Sequence, residues 1–426
     1  MSISQPTPPA AGGRGQAGLP RALVLLLAAA CGVIVANNYY AQPLLPALQH
    51  AFGTSAGTAG LCVTLNQLGY AAGLVFIVPL GDLAGRRRLV TLLLALDAVV
   101  LAAAAAAPSA WALIALLTAA GTAGTAINVL IPTAASLADD SQRGRVVGTL
   151  MTGLLLGILL ARTVAGAIDS LVGWRPVYGV AAVAAAALAL ALHAKLPELP
   201  AAPGARYPQL LASVVTLVRT QPFLRRRMAA GALGFGAFQL LWTALPFMLS
   251  DKPYAYAPAV IGLFGLLGAA GAAAAQPAGR LQDRGIAHGA TGVLLVLLAG
   301  SWALLAEGRN LLLLAAGIVL LDIGVQGVHV LNQGRIYLFP AQVRARATTA
   351  YMSAYFLGGA AGGAVAVALY PAWGWDGVCA AGAVMALAGL ALWAGDRRAG
   401  PAPAATTSLP RPADAAPAAG VGSGTG

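Results

Sequence analysis

The sequence predicts an all-α membrane protein of twelve transmembrane helices, arranged as two parallel six-helix repeats. Apolar runs of about twenty residues recur along nearly the whole chain, the length needed to cross a ~30 Å hydrocarbon core. Of 426 residues, 59% are hydrophobic and only 9% charged, too little charge to cover the water-facing surface of a globular protein of this size. Asp82, Arg143, Arg145, Met151, Gly157, Gly173 and Trp174 each recur 201 residues later, as Asp283, Arg344, Arg346, Met352, Gly358, Gly374 and Trp375. One constant offset over that much chain marks two tandem copies of one multi-helix unit, running in the same direction. Backbone groups in lipid must be paired internally, and the runs are far too long for barrel strands of roughly ten residues, so the spans are helices.

Taken in order, residues 1–20 are rich in Pro, Gly, Ala and Ser and are expected to form a disordered cytoplasmic tail. The N-terminal six-helix bundle occupies 21–195, with spans at 21–47, 57–80, 88–107, 110–134, 146–169 and 174–195. Residues 196–227 read as a cytoplasmic linker: three prolines by Pro203, then YPQLLASVVTLVRT as a short amphipathic helix suited to a membrane surface, then Arg225 to Arg227. The C-terminal bundle, 228–395, has spans at 228–249, 258–280, 289–306, 310–333, 347–370 and 375–395, and 396–426 is a second disordered cytoplasmic tail. Small residues crowd several spans, in GLLLG from Gly153, GLLGAAGAAAA from Gly265 and GGAAGG from Gly358. They permit close helix approach, which serves static packing and helix sliding equally.

Charge fixes the expected orientation. The net charge is +12. If Arg21 lies inside the cell, alternate loops carry Arg86 to Arg88, Arg143 and Arg145, Lys195 to Arg227, Arg280 and Arg284, and Arg335 to Arg346, while the opposite loops hold only Arg175, Lys252 and Arg309. This positive-inside asymmetry puts both termini in the cytoplasm and makes the basic runs topology determinants at a bilayer, with no nucleic-acid partner. Cys31, Cys62 and Cys379 are an odd number within apolar spans and read as packing residues. The apolar segment that reaches Cys31 continues past it, unlike a lipoprotein leader.

Two loops carry a family signature. PLGDLAGRRR, from Pro79 to Arg88, and GRLQDRG, from Gly279 to Gly285, sit at the same place in each repeat. They resemble motif A of the major facilitator superfamily, G-x-L-x-D-R-x-G-R-R. The second copy keeps Gly279, Leu281, Asp283 and Arg284; the first keeps Asp82, Gly85, Arg86 and Arg87, with Val78 and Leu83 at the usual Gly and Arg places. The resemblance extends over residues 21–395 and implies the major facilitator fold. NNYYAQPLLP, GLLLGILLAR, Gly173 to Arg175 and YMSAYFLGGAAGG look like the drug-efflux and arabinose-efflux-like permease branch. Where antiporters of that branch carry G-x-x-x-G-P-x-x-G-G, Gly157 is followed here by Ile158, and Ala161 and Arg162 take the double-glycine place; Leu117 stands at the usual helix 4 arginine. The resemblance further implies a cytoplasmic gate. Asp82 would face the N-terminus of helix 11 after Arg344 and Arg346, and Asp283 that of helix 5 after Arg143 and Arg145, with Arg86, Arg87 and Arg284 bracing the carboxylates. A tight turn with solvated charges is the alternative.

Ionisable groups within spans are the remaining signal, since each costs about 2.5–3.5 kcal/mol on insertion. There are three: Asp97, Arg162 and Asp322. Asp322, Gln326, His329 and Gln333 share one face of helix 10 at i, i+4, i+7 and i+11, so Asp322 and His329 are candidates for proton coupling, or members of a structural hydrogen-bond network. Asp97, on helix 3, is a third proton candidate or a structural group. Asn37, Asn38, Tyr40 and Gln42 on helix 1, Asn66 and Tyr70 on helix 2, Arg162 on helix 5, Phe235, Gln239 and Trp242 on helix 7, and Gln326 and Gln333 on helix 10 are candidates for the wall of a solute cavity. Arg162 could bind an anionic solute or neutralise a partner such as Asp97.

No phosphate-binding loop, zinc spacing or nucleophile–base set is visible, so neither an enzyme nor a cofactor or metal is expected. The expected activity is secondary active transport of a small organic solute by a monomer in a bacterial inner membrane, with efflux coupled to inward proton movement. A uniporter or symporter for a metabolite is the rival, and a transport-dead sensor acting through a tail is a more distant one.

Overall fold

The computed structural model describes residues 19–198, 207–284 and 286–396, and only the backbone at Asp82, Asp140, 270, 272, 274–276, Asp283, 341 and 342. Among the described residues the structure is helical with no strand. The first span is two helices, α1 (Arg21–Ala36) and α2 (Ala41–Phe52), bent by 40° across Asn37 to Tyr40. Pro43 explains the bend: it has no N–H to offer the carbonyl of Tyr39, which accepts from Gln42 instead at 3.3 Å. Gly53, at φ 58°, ends α2 in the left-handed conformation open to glycine. The Ser55 side chain accepts from the Thr58 N–H and starts α3 (Ala56–Phe76). Next come α4 (Arg86–Ala105), then α5 (Ala110–Ala123) and α6 (Ala126–Leu137), which make one span, then α7 (Asp140–Val172) and α8 (Arg175–Lys195).

The expected amphipathic helix is α9 (Tyr207–Thr220). The following helix, α10 (Pro222–Ser250), starts six residues before the expected 228, because Pro222 suits a first helical turn and Arg227 belongs inside. Arg227 is buried, paired with Asp396 and donating to Asn332 Oδ1 at 3.3 Å. The next span is broken, as α11 (Pro258–Leu263), a 3₁₀ turn over Phe264–Gly268, and α12 (Ala269–Asp283). It is followed by α13 (Ala287–Ala306), by α14 (Leu311–Ile336), capped by Asn310, and by α15 (Ala341–Asp396). At Gly374, φ 60° and ψ −152° divide α15 into two rods. Among the described residues, with the broken span and both rods counted, the helices make twelve passages.

The packing repeats as the sequence does. In the first half α1 lies on α7, α3 on α5 and α4 on α8; in the second, α10 lies on α15, α12 on α14 and α13 on α15. Equivalent glycines make the equivalent contacts. A Cβ added to Gly157 would come 2.2 Å from the Gly32 carbonyl oxygen, and one added to Gly358, 201 residues on, 2.2 Å from that of Ala232. Leu92 and Val99 of α4, Val183 and Leu190 of α8, Val293 and Val296 of α13, and Val384 and Leu387 of α15 are exposed, an apolar girdle that only lipid would cover. The chain is a multi-pass integral membrane protein.

The arginine-bearing loops gather at one end of the helices, here the basic end. Towards the opposite, far end the two halves close through small residues. Gly60 lies under Val367, Gly363 against Thr64, Gly166 against the Pro258 carbonyl and Gly262 against that of Arg162. The Thr163 hydroxyl donates to the Gly262 carbonyl at 3.1 Å, and Ser170 Oγ accepts from the Ala259 N–H at 2.9 Å. Near the basic end α7 is uncrowded: a Cβ on Gly144 or Gly148 would meet nothing within 4 Å. A cavity of about 940 Å³ opens there between α1 and α7, from Leu25 and Arg145 to Tyr40 and Ala161.

Candidate functional site

Where the cavity ends, side chains from both halves meet. Arg162 of α7, buried at 2% exposure, donates from Nε to Gln42 Oε1 of α2 at 2.6 Å. Gln42 donates from Nε2 to Gln239 Oε1 of α10 at 3.1 Å. The polar chain therefore starts in the first half and crosses into the second. The guanidinium carbon stands 3.9 Å from the Trp242 ring centroid, 4.8 Å from that of Tyr39 and 5.7 Å from that of Phe238. Face-on aromatic contact with a desolvated cation contributes up to ~2 kcal/mol, which offsets part of the cost of burying it.

Asp322 supplies the opposite charge. It is buried on α14, within electrostatic reach of Arg162 and next to Trp242. The broken span makes room for both charges. A Cβ on Gly265 would lie 2.9 Å from Arg162 Cβ, one on Gly268 2.9 Å from Asp322 Oδ2, and one on Gly271 3.0 Å from Asp322 Cβ. Among the described residues, Arg162 Nη2, Gln239 Nε2 and Asp322 Oδ1 are buried without a hydrogen-bond partner, and Trp242 Nε1 approaches the Asp322 carboxylate without a close hydrogen bond. Two donors and one acceptor thus remain unused within one cluster.

The carboxylate beside Arg162 is that of Asp322, so the pairing of Arg162 with Asp97 is not formed. Asp97 instead accepts from Asn37 Nδ2 at 2.5 Å, inside the first half. The shared face of α14 also divides. His329 and Asp322 exchange no hydrogen bond. The His329 Nδ1 pairs with the Tyr351 hydroxyl at 3.0 Å, its Nε2 with Gln333 Nε2 at 3.0 Å, and its ring packs 4.3 Å from that of Tyr355. Gln333 also donates to Met352 Sδ at 3.5 Å, and Gln326 is half-buried. A seven-residue separation leaves two helical turns between Asp322 and His329, and the α15 rings fill the space around the imidazole.

Several expected wall residues pack within a half. Asn66 donates to the Leu117 carbonyl at 2.9 Å, and Asn38 is buried against Gly124. Tyr70 accepts from Asn128 Nδ2 at 2.7 Å, but its ring stacks on Phe356 of the other half at 4.0 Å. Phe235 stacks on Tyr355 at 4.1 Å, and Tyr40 lines the cavity. Phe238, which completes the cage around Arg162 with Tyr39 and Trp242, fell outside the sequence candidates. Phe238 was detectable as the residue one turn before Trp242 on the face towards the seam.

The gate carboxylates, Asp82 and Asp283, have side chains outside the described residues. Of their companions, Arg143 donates to the Ala135 carbonyl at 3.0 Å and Arg344 to that of Phe339 at 3.3 Å, so each ties the start of its helix to the preceding turn. Arg86, Arg87 and Arg346 are half-buried, and Arg145 and Arg284 exposed. Among the described residues no group of three or more His, Cys, Asp or Glu could hold a metal ion.

Comparison with known proteins follows the same lines. The sequence profile described as Major Facilitator Superfamily matches residues 27–334. The chain is 46% identical over 376 residues to the putative uncharacterized transporter YgaY of Escherichia coli (strain K12), covering 88% of this chain and 95% of that one. It is 37% identical over 380 residues to the probable transporter SCO4007 of Streptomyces coelicolor, covering 88% of each. Among solved structures it resembles a bacterial homolog of the human lysosomal transporter Spinster in an inward-facing and occupied conformation. There the TM-score is 0.72 at 12% identity, over 89% of this chain and 97% of that one. The nucleoside transporter NupG aligns with TM-score 0.69 at 14% identity, over 88% and 98%.

Proposed function

The chain belongs to the major facilitator superfamily, and from that premise we propose that it carries a small organic solute across a bacterial inner membrane by alternating access, with Asp322 as the proton carrier. The observation that supports this most is a buried cation and a buried carboxylate, from separate halves, packed against one broken span at Gly265 and at Gly268. A pair placed this way reports whether the seam is shut. With the far end closed, Arg162 compensates an ionised Asp322. When the halves part there, Asp322 loses its counter-ion and takes a proton from the far side. Re-closure returns Arg162 and drives that proton towards the basic end, which is the cytoplasm in the expected orientation. A cycle of this kind powers solute efflux by inward proton movement. A second reading, proton–solute symport, draws on the same pair, because a solute that engaged Arg162 would itself leave Asp322 to take a proton.

Proteoliposomes carrying a pH-sensitive dye test the coupling. Against a library of small organic solutes, at least one should shift internal pH with the unaltered protein, while Asp322→Asn keeps solute counterflow and shows no pH shift. Uphill accumulation driven by a pH gradient in Asp322→Asn would remove Asp322 from the mechanism.

A further inference from the structure

We infer that the solute of this site is an organic monoanion, a carboxylate on an aromatic or apolar body, bound head-first to Arg162 between the two halves. The inference deepens the transport reading and rests on it, in its proton–solute symport form, since the solute engages Arg162. Its basis is the inventory of unused groups: Arg162 Nη2 and Gln239 Nε2 are buried donors with no acceptor among the described residues, and Trp242 Nε1 has the Asp322 carboxylate beside it without a close hydrogen bond. They belong to one connected cluster, since Gln42 links Arg162 to Gln239 and the Trp242 ring lies under the guanidinium. Leaving a buried donor unmade costs about 1–3 kcal/mol each, so two together create a preference for an acceptor with several lone pairs. A carboxylate fits, because its two oxygens accept from the guanidinium fork and from neighbouring N–H groups at once. The remaining acceptor, Asp322, is itself a carboxylate beside Arg162, and a solute anion would exchange with it as the counter-ion of Arg162.

The body of the solute follows from the walls. The cluster is roofed by Tyr39, Phe238 and Trp242, and the approach from the basic end is lined by Leu25, Ala29, Val33, Leu156 and Leu160, with Thr149 and Thr152 as its hydroxyls. Arg145 stands exposed at the mouth of that cavity, a cation where an anion enters. A cationic solute would meet Arg145 and then Arg162, and a polyol would leave the apolar walls uncovered. Gly262 and Gly265 of the facing span pack directly on Arg162, so the head group reaches it as the helices part there.

Three isosteric probes decide the matter: 3-phenylpropionate, 3-phenylpropionamide and 3-phenylpropylamine, offered to the full-length protein in nanodiscs and in proteoliposomes. The carboxylate should raise the melting temperature and drive counterflow, and the amide and amine should do neither. Arg162→Gln should weaken carboxylate binding about tenfold or more, the loss of one charged hydrogen bond, and Arg162→Lys should restore part of it. Trp242→Phe, which keeps the ring and removes the Nε1 donor, gives a second reading should Arg162→Gln not fold, with binding weakened severalfold. Equal or stronger response to the amine or amide, no response to the carboxylate, or unchanged binding in Arg162→Gln and Trp242→Phe overturns the inference while leaving the transport reading in place. Carboxylate binding that depends on Arg162 without any counterflow upholds the anion site and removes the transport reading.

Discussion

Asp322 stands where the first repeat has Gly121, 201 residues earlier. In the first half the glycine of that pair lies on α5, and a Cβ there would come 2.2 Å from the Asn66 carbonyl oxygen of α3. In the second half the larger side chain moves to α14, and Gly268 and Gly271 of the facing span yield the space. The duplicated contact has kept its closeness and changed which helix is small. A Gly271→Val substitution should therefore push Asp322 off its seat, lowering stability by about 1–3 kcal/mol through overpacking and reproducing the loss of proton coupling of Asp322→Asn. Denaturation midpoints together with the dye assay measure both, and intact coupling in Gly271→Val would mean that the seat is irrelevant. The members of the cluster were legible in the sequence, because Arg162 and Asp322 interrupt apolar runs that tolerate charge poorly. Their partnership was not, since Gln42, Arg162, Gln239 and Asp322 come from four separate helices.

At the scale of elements, helix periodicity located α14 and its polar face but overstated what that face does. Residues seven apart share a side of the helix, yet Asp322 meets Gly268, Gly271 and Trp242 while His329 meets Tyr351 and Tyr355 of α15. His329→Gln should accordingly cost only about 1 kcal/mol, one neutral hydrogen bond, and leave proton coupling intact. Thermal melts and the same dye assay check this, and a loss of coupling as complete as in Asp322→Asn would put His329 back on the proton path. Breaks in helices were the other limit of sequence reading. A regular run from residue 21 to 47 was expected, but Pro43 withdraws one backbone donor and the helix bends, which turns Tyr39 and Gln42 together towards Arg162. The early start of α10 at Pro222 has a similar origin, because no local pattern distinguishes Arg227, bound to Asp396 and Asn332, from the two arginines before it.

For the whole molecule, the constant 201-residue offset carried the architecture, and the equivalent packings of the two halves follow it helix for helix. What the offset does not reveal is conformation, since two such repeats can meet at either end. Close contacts made by glycines decide that here. The far end is shut by Gly60, Gly166, Gly262 and Gly363, whereas the basic end holds the cavity that reaches Tyr40 and Ala161. The charged cluster lies between the closed end and the open one, which is the place a carrier needs its site. The most direct measurement is a cross-link between Ser170→Cys and Ala259→Cys, positions that meet across the far seam where Ser170 Oγ accepts from the Ala259 N–H. Oxidation in membranes should join them quickly and stop solute counterflow, and reduction should restore it. Failure to cross-link, or full counterflow with the bridge in place, would contradict the account of two halves that part at this seam around Arg162 and Asp322.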